Sequence, residues 1–278
     1  MKETRKQSLG FYFYPGMKGF HIVARLKDVP GALHSVLGLL HDRVNFADSS
    51  SHILEDGTAI WSGFGTSLLE DETEEKLKRL IETSPFVLEC EVKGSDQGLL
   101  IDSFHSGLDI APDRPGVVFS IAGVTRIYDR LVQTLRSGGE TILFEEGSAL
   151  GESVGQYLNA RLGHGELDWK VKALLGTYRA YGWGSASLEV EEPGTRFRVT
   201  VRDDFECVEK GKVRKECGFL RGHLTSAIST LSGREFGGRE TKCRFRGDPL
   251  CEFLISRKET QGTAVDLVAR SRSRESTV

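Results

Sequence analysis

Apolar and polar residues begin to alternate at Phe20, and Phe20, Ile22, Ala24 and Leu26 fall on one side, the two-residue period of a half-buried strand. After Asp28-Val29-Pro30-Gly31 the period lengthens, and Leu33, Val36, Leu37 and Leu40 form one stripe of a helix. Residues 44–54 and 58–68 predict two strands that turn at Glu55-Asp56-Gly57. Residues 71–82 predict a second helix. Its acidic start suits the helix dipole, and Leu77, Leu80 and Ile81 face inward. Alternation returns over 86–92 and puts Phe86, Leu88, Cys90 and Val92 on one side, which makes Cys90 a buried structural thiol. The resulting order, β-α-β-β-α-β, is the split βαβ arrangement.

A polar run, Lys93-Gly94-Ser95-Asp96-Gln97-Gly98, then breaks the pattern and predicts a linker over 95–102. Beyond it the pattern predicts helices over 117–135, 148–162, 167–181 and 215–231, and a short strand over 141–144. Strands over 183–191 and 196–202 meet at Pro193-Gly194, and two more over 240–245 and 251–255 close the chain. The organisation expected is an extension (1–18), a first domain (19–94), the linker, a second domain (103–256) and a flexible tail (257–278). The fold class is α+β.

Composition narrows the function more than the fold. A net charge of −3 lacks the basic excess of a general nucleic-acid binder. No apolar run approaches the roughly 18 residues of a membrane span, and the start has no apolar signal core. A cytoplasmic protein is expected. Five cysteines in a chain of 278 residues do not make a disulfide framework. Four of them, Cys207, Cys217, Cys243 and Cys251, fall within 45 residues.

Glu240 and Cys243 are three apart, and Cys251 returns across the turn Gly247-Asp248-Pro249. Cys217 arrives from the preceding helix. Three thiolates and a carboxylate complete a tetrahedral set, yet the spacing matches no zinc-finger rule and also fits buried cysteines without a metal. The segment "CGFLRGHL…LSG…ETKCRFRGDPLCEF" resembles the 4-vinyl reductase domain of phenol- and xylene-responsive activators, a family related in fold to TRAPP trafficking subunits. The resemblance, over roughly 103–256, implies an α/β domain with an antiparallel sheet and zinc held by Cys217, Glu240, Cys243 and Cys251. It leaves Cys207 outside the ligand set. Four protein ligands imply a closed, structural site.

Gly147, Gly151 and Gly155 match no phosphate-binding loop and read as a small-residue helix face packed on a neighbour. Trp169, Tyr178, Tyr181, Trp183 and Phe197 are candidates for a pocket, or for core. His164 and His223 read as surface or helix-end residues. "RLKDVPGALHSVLGLL" resembles the opening of ACT domains, a ferredoxin-like family. That resemblance implies an effector loop at Asp28, Pro30, Gly31 and Ala32, or dimerisation alone. Phe11-Tyr12-Phe13-Tyr14, an apolar segment needing cover, adds to the expectation of a homodimer. The function expected is that of a zinc-containing regulatory protein. It would sense an amino acid or an aromatic or hydrophobic molecule and act through a protein partner or a change of oligomer. A TRAPP-like scaffold and a reductase are the competing classes; no nicotinamide fingerprint supports the latter.

Overall fold

Strand β1 (Phe11–Phe13) precedes β2 (Gly19–Lys27), where the alternation puts Phe20, Ile22, Ala24 and Leu26 in a core. The computed structural model describes residues 10–207 and 213–259. It divides into two compact units, Met1–Gly116 and Val117–Val278. The break falls after Gly116 rather than within 95–102, so 103–116 belongs to the first unit.

The first unit continues with α1 (Ala32–Leu40), β3 (Val44–Ile53), β4 (Thr58–Ser67), α2 (Glu74–Ile81) and β5 (Val87–Ser95). Its antiparallel sheet has the order β3-β4-β2-β5, the ferredoxin-like arrangement. Val36 and Leu40 of α1 and Leu77 and Ile81 of α2 pack on Phe20, Ile22, Ala24 and Cys90. Thr73 caps α2 by accepting from the Lys76 N–H at 3.2 Å. The β2–β5 register shifts between Arg25 and Leu26, so Leu26 pairs with Val87 and Leu88 turns out to solvent. The inward side expected for Leu88 is therefore lost to a bulge.

The expected linker is not one. Its strand β6 (Leu99–Ile101) pairs antiparallel with β1, and Tyr12 and Leu100 cover Phe64 on the sheet face opposite the helices. The N-terminal apolar segment thus finds cover within its own unit through Tyr12, while Phe11 and Phe13 stay exposed. A small hairpin, β7 (Leu108–Ala111) and β8 (Arg114–Gly116), completes the unit.

The second unit contains α3 (Ile121–Leu135), α4 (Ser137–Leu162), α5 (Leu167–Ala180), β9 (Ser185–Glu192), β10 (Arg196–Arg202), α6 (Gly218–Ser232), β11 (Phe236–Lys242) and β12 (Cys251–Arg257). The strands form one antiparallel sheet, ordered β11-β12-β10-β9. Residues 141–144 are helix and not strand: the β-prone Thr-Ile-Leu-Phe run lies inside a 26-residue helix whose glycine face sets its path. Gly147, Gly151 and Gly155 are buried there against α6. A Cβ on Gly147 would lie 1.9 Å from the Phe219 carbonyl oxygen, and one on Gly222 of α6 would lie 2.1 Å from that of Phe144. Two backbones in such contact exclude every side chain between them. The tail from 260 lies outside the described residues. Among the described residues no helix is long and apolar enough to cross a membrane.

The close approach makes a prediction. Gly147→Ala should lower unfolding stability by about 1–3 kcal/mol through overpacking. Gly176→Ala, on an open face of α5 with nothing within 4 Å, should instead raise it by up to about 1 kcal/mol. Urea unfolding of the two variants reads both signs; a neutral Gly147→Ala would contradict the helix contact.

Candidate metal centre

Four chain segments converge at the N-terminus of α6. The loop after β10 brings Cys207, the residue before α6 is Cys217, the chain leaving β11 brings Cys243, and β12 opens with Cys251. All four are buried, and their sulfurs lie within 4.8 Å of one another. Cys207 Sγ is 3.0 Å from Cys217 Sγ and 3.9 Å from Cys243 Sγ. Cys217 Sγ is 3.8 Å from Cys243 Sγ and 3.6 Å from Cys251 Sγ. A tetrahedron with ~2.3 Å metal–sulfur bonds has an edge of about 3.8 Å, so most of these separations suit one ion. Four soft thiols in this arrangement could hold a metal ion.

Local turns explain the convergence. Asp248 Oδ2 accepts from the Cys243 N–H at 2.7 Å, and the Cys243 carbonyl accepts from the N–H groups of Arg246 and Asp248. Gly247, at φ 97°, takes the left-handed conformation that closes this knuckle and sends the chain back to Cys251. Cys217 stands at the positive end of α6, where a thiolate is favoured.

Carboxylates cap the free N–H groups of that helix end. Glu240 Oε2 accepts from the Cys217 N–H at 3.1 Å, and Glu206 Oε2 accepts from the Leu220 N–H at 2.7 Å. Glu206 is fully buried, and Arg214 lies 3.5 Å from it while donating to Asp129 at 2.8 Å. The Arg214 guanidinium also sits over the rings of Tyr128 and Phe245. Burial pushes the Glu206 carboxyl up, against the opposing pull of Leu220 N–H and Arg214. Burial likewise raises Asp204 to about 6, and raises Glu240 to about 8 with help from Cys243. Among the thiols the directions diverge. Hydrogen bonds from Cys207 first, then Cys217 and Cys251, push Cys243 far down, while burial pushes Cys217 up.

Cys207, read from the sequence as a bystander, is the fourth thiol of the group. Glu240 meets the group at its rim. Its Oε1 has no hydrogen-bond partner, and Oε2 caps Cys217. Of the candidate pocket residues, Tyr178, Tyr181 and Trp183 stand together and Phe197 packs apart from them on Phe236, while Trp169 is 51% exposed. Sequence reasoning missed three further members of this aromatic group, Phe205, Phe219 and His223. His223 is fully buried and shares a 2.8 Å hydrogen bond with the Tyr178 hydroxyl, contrary to its expected surface position; His164 is exposed. Phe205 and Phe219 each sit two residues from a clustered thiol, so the centre and the aromatic group share their supports.

In the first unit, Asp28, Pro30 and Gly31 are exposed and Ala32 is buried. An open cleft of about 390 Å³ there is lined by Asp28, Val29, Ala32, Leu33, His52 and Trp61, among others. Trp61 is buried and its indole N–H has no hydrogen-bond partner. The Ala32 N–H donates to the Val29 carbonyl at 3.2 Å.

A family model for the 4-vinyl reductase domain matches residues 197–257, which include all four thiols and Glu240. No curated protein matches the chain. The chain is similar to the phenol-responsive sensory domain of the transcription activator PoxR, at 18% identity over 56% of this chain and 83% of that one, with a TM-score of 0.47. It is similar to trafficking protein particle complex subunit 3 from Naegleria fowleri, at 15% identity over 50% and 95%, with a TM-score of 0.39. A vinyl-4-reductase family protein from Methanocaldococcus jannaschii is 13% identical over 52% and 85%, with a TM-score of 0.35.

The geometry predicts the rank of the ligands. Cys207→Ser should weaken metal binding as severely as Cys243→Ser, whereas Glu240→Gln should keep the metal and lose only part of a helix cap, about 1 kcal/mol. Metal content and melting temperature of the three variants decide it. A Cys207→Ser protein with full metal content, beside a metal-free Glu240→Gln, would give the fourth position to the carboxylate.

Proposed function

We propose that the protein is a zinc-containing, small-molecule-sensing regulatory protein that acts through a protein partner or a change of oligomer. The observation that carries this reading is the shared support of the thiol group and the aromatic group: Cys207 and Phe205 lie on one segment, Cys217 and Phe219 on another. Zinc would be held by Cys217, Cys243 and Cys251, with Cys207 favoured over Glu240 for the fourth place. Bound there, the ion supplies no reaction; four protein donors leave it closed to substrate. Its work is to fix the segments that carry Phe205 and Phe219.

Trp183 stands edge-on to Tyr178, Phe219 and His223, with ring centroids 5.0–5.7 Å apart. The buried Tyr178–His223 pair offers one hydrogen-bonding point inside an apolar lining. This is the chemistry of a site for a hydrophobic or aromatic molecule carrying one polar group. Entry of such a molecule would move these rings against one another, and that movement would be the signal passed on. The match to the 4-vinyl reductase domain supports this reading.

The first unit is proposed to be an ACT-type module. Its cleft at Asp28–Ala32, with the unpartnered Trp61 N–H, supports an amino-acid effector. Pairing of two such modules would make the protein a homodimer. A thiol-rich centre that must stay reduced fits the cytoplasm. The scaffold reading, suggested by the family's relation to TRAPP subunits, predicts that no small molecule binds.

The test is a thermal-shift screen of amino acids and substituted phenols on the zinc-loaded protein, read beside its native mass. A ligand at one hundred times its Kd should stabilise the protein by about 2.7 kcal/mol. An amino-acid response should disappear in Gly31→Val, because φ 90° there is closed to a branched residue. An aromatic response should survive that change and weaken in Tyr178→Phe. A protein that responds to neither class is a scaffold, and turnover with a reduced cofactor would make it an enzyme. A monomer by light scattering at micromolar concentration would remove the dimer.

A further inference from the structure

The sheet face opposite the helices in the first unit carries a second group of ligand-type side chains, remote in sequence from the cysteines. His21 projects from β2 on that face, 1% exposed, with its ring stacked on Phe64 at a centroid distance of 3.9 Å. Its Nε2 is 3.0 Å from Ser62 Oγ. Among the described residues its buried Nδ1 has no hydrogen-bond partner, and Asp102 Oδ1 stands 3.9 Å away, too far for one.

Asp102 follows β6 and is held in place by its backbone, whose N–H donates to the Gly10 carbonyl at 2.7 Å. Asp102 Oδ1 accepts the N–H groups of Phe104 and His105 at 3.0 Å, and Oδ2 is 2.7 Å from His105 Nδ1. One ligand atom each from His21, Asp102 and His105 lies within 4.8 Å of the other two. The Asp102 and His105 side chains are 28% and 34% exposed, so the group has a path to solvent.

The chemistry asks for a cation. With the His21 proton on Nε2, donated to Ser62, the Nδ1 lone pair faces a carboxylate. With it on Nδ1, the N–H stops short of any acceptor, a cost that buried polar groups seldom carry. The Ser62 contact on the far ring nitrogen is the kind of support that orients a metal-bound imidazole.

We propose that His21, Asp102 and His105 form a second metal site, for a divalent ion of the zinc type, with an open position for water or a small anion. Two imidazoles and one carboxylate suit zinc and its transition-metal neighbours better than calcium or magnesium, which prefer oxygen alone. Ligands at ~2.0–2.1 Å around a tetrahedron stand about 3.3 Å apart, between the 2.7 and 3.9 Å separations of the group. On binding, His105 Nδ1 gives its proton to solvent while Nε2 takes one from it, so that the neutral ring turns its Nδ1 lone pair from Asp102 to the ion. The ion then ties the β1–β6 ribbon to the central strand of the sheet.

Zinc titrated into the reduced, chelator-treated full-length protein tests this. Wild type should bind two equivalents. His105→Ala and Asp102→Asn should each lose one, weakened by more than about tenfold, the scale on which even a supporting contact acts. Both variants change partly exposed side chains, and their metal-free melting should match that of wild type. With cobalt in place of zinc, His105→Ala should keep every thiolate-to-metal absorption band and lose only bands without thiolate character. A wild type and His105→Ala with equal metal content, all of it under thiolate bands, would overturn the proposal. If the cysteine centre fails instead, wild type will hold one equivalent that Cys243→Ser keeps and His105→Ala loses.

Discussion

Four buried sulfurs packed within 4.8 Å at the positive end of one helix are the constraint around which the second unit is arranged. The neighbouring sulfurs pull the Cys243 thiol far down, while burial pushes up the carboxyls of Asp204, Glu206 and Glu240 in the same region. Burying so much potential negative charge is costly unless a cation answers it. Arg214 answers Glu206, and the N–H groups of α6 answer part of the rest. A divalent ion among the sulfurs, as proposed, would answer the remainder, and in small zinc modules such an ion contributes on the order of 10 kcal/mol.

The helix pair α4–α6 is the second constraint, and it acts through the first. Gly147, Gly151 and Gly222 let the two backbones touch, which fixes the height of α6 against α4. That height in turn sets where Cys217 and Phe219 stand. In the proposed sensor, a small movement of rings would be coupled to the position of a helix that cannot slide without breaking its backbone contact. A metal ion among the thiols, as proposed, would hold one end of that helix still.

Much of this was legible in the sequence because it is periodic or local. The ferredoxin-like order followed from alternation, and the α4 glycine face from a spacing of four. Three of the four thiols were found through a turn and a resemblance. Cys207 was not, because it lies on an irregular loop ten residues before Cys217, where no period marks it; only the fold brings the sulfurs together. The same holds for His223, whose burial depends on Tyr178 from another helix. The pairing of β1 with β6 was missed since three-residue strands carry too little pattern, and the polar run between β5 and β6 read as a linker. Leu88 was misplaced by a bulge that a strict two-residue period does not foresee. The group of His21, Asp102 and His105 joins residues about eighty positions apart, with no motif to announce it.

The central claim is that zinc sits among sulfurs and ties the second unit together. Zinc X-ray absorption on the Asp102→Asn protein, in which only the cysteine centre is left to fill, measures the donors directly. The account predicts a shell of four sulfurs at ~2.3 Å. A shell of nitrogen and oxygen without sulfur would contradict it.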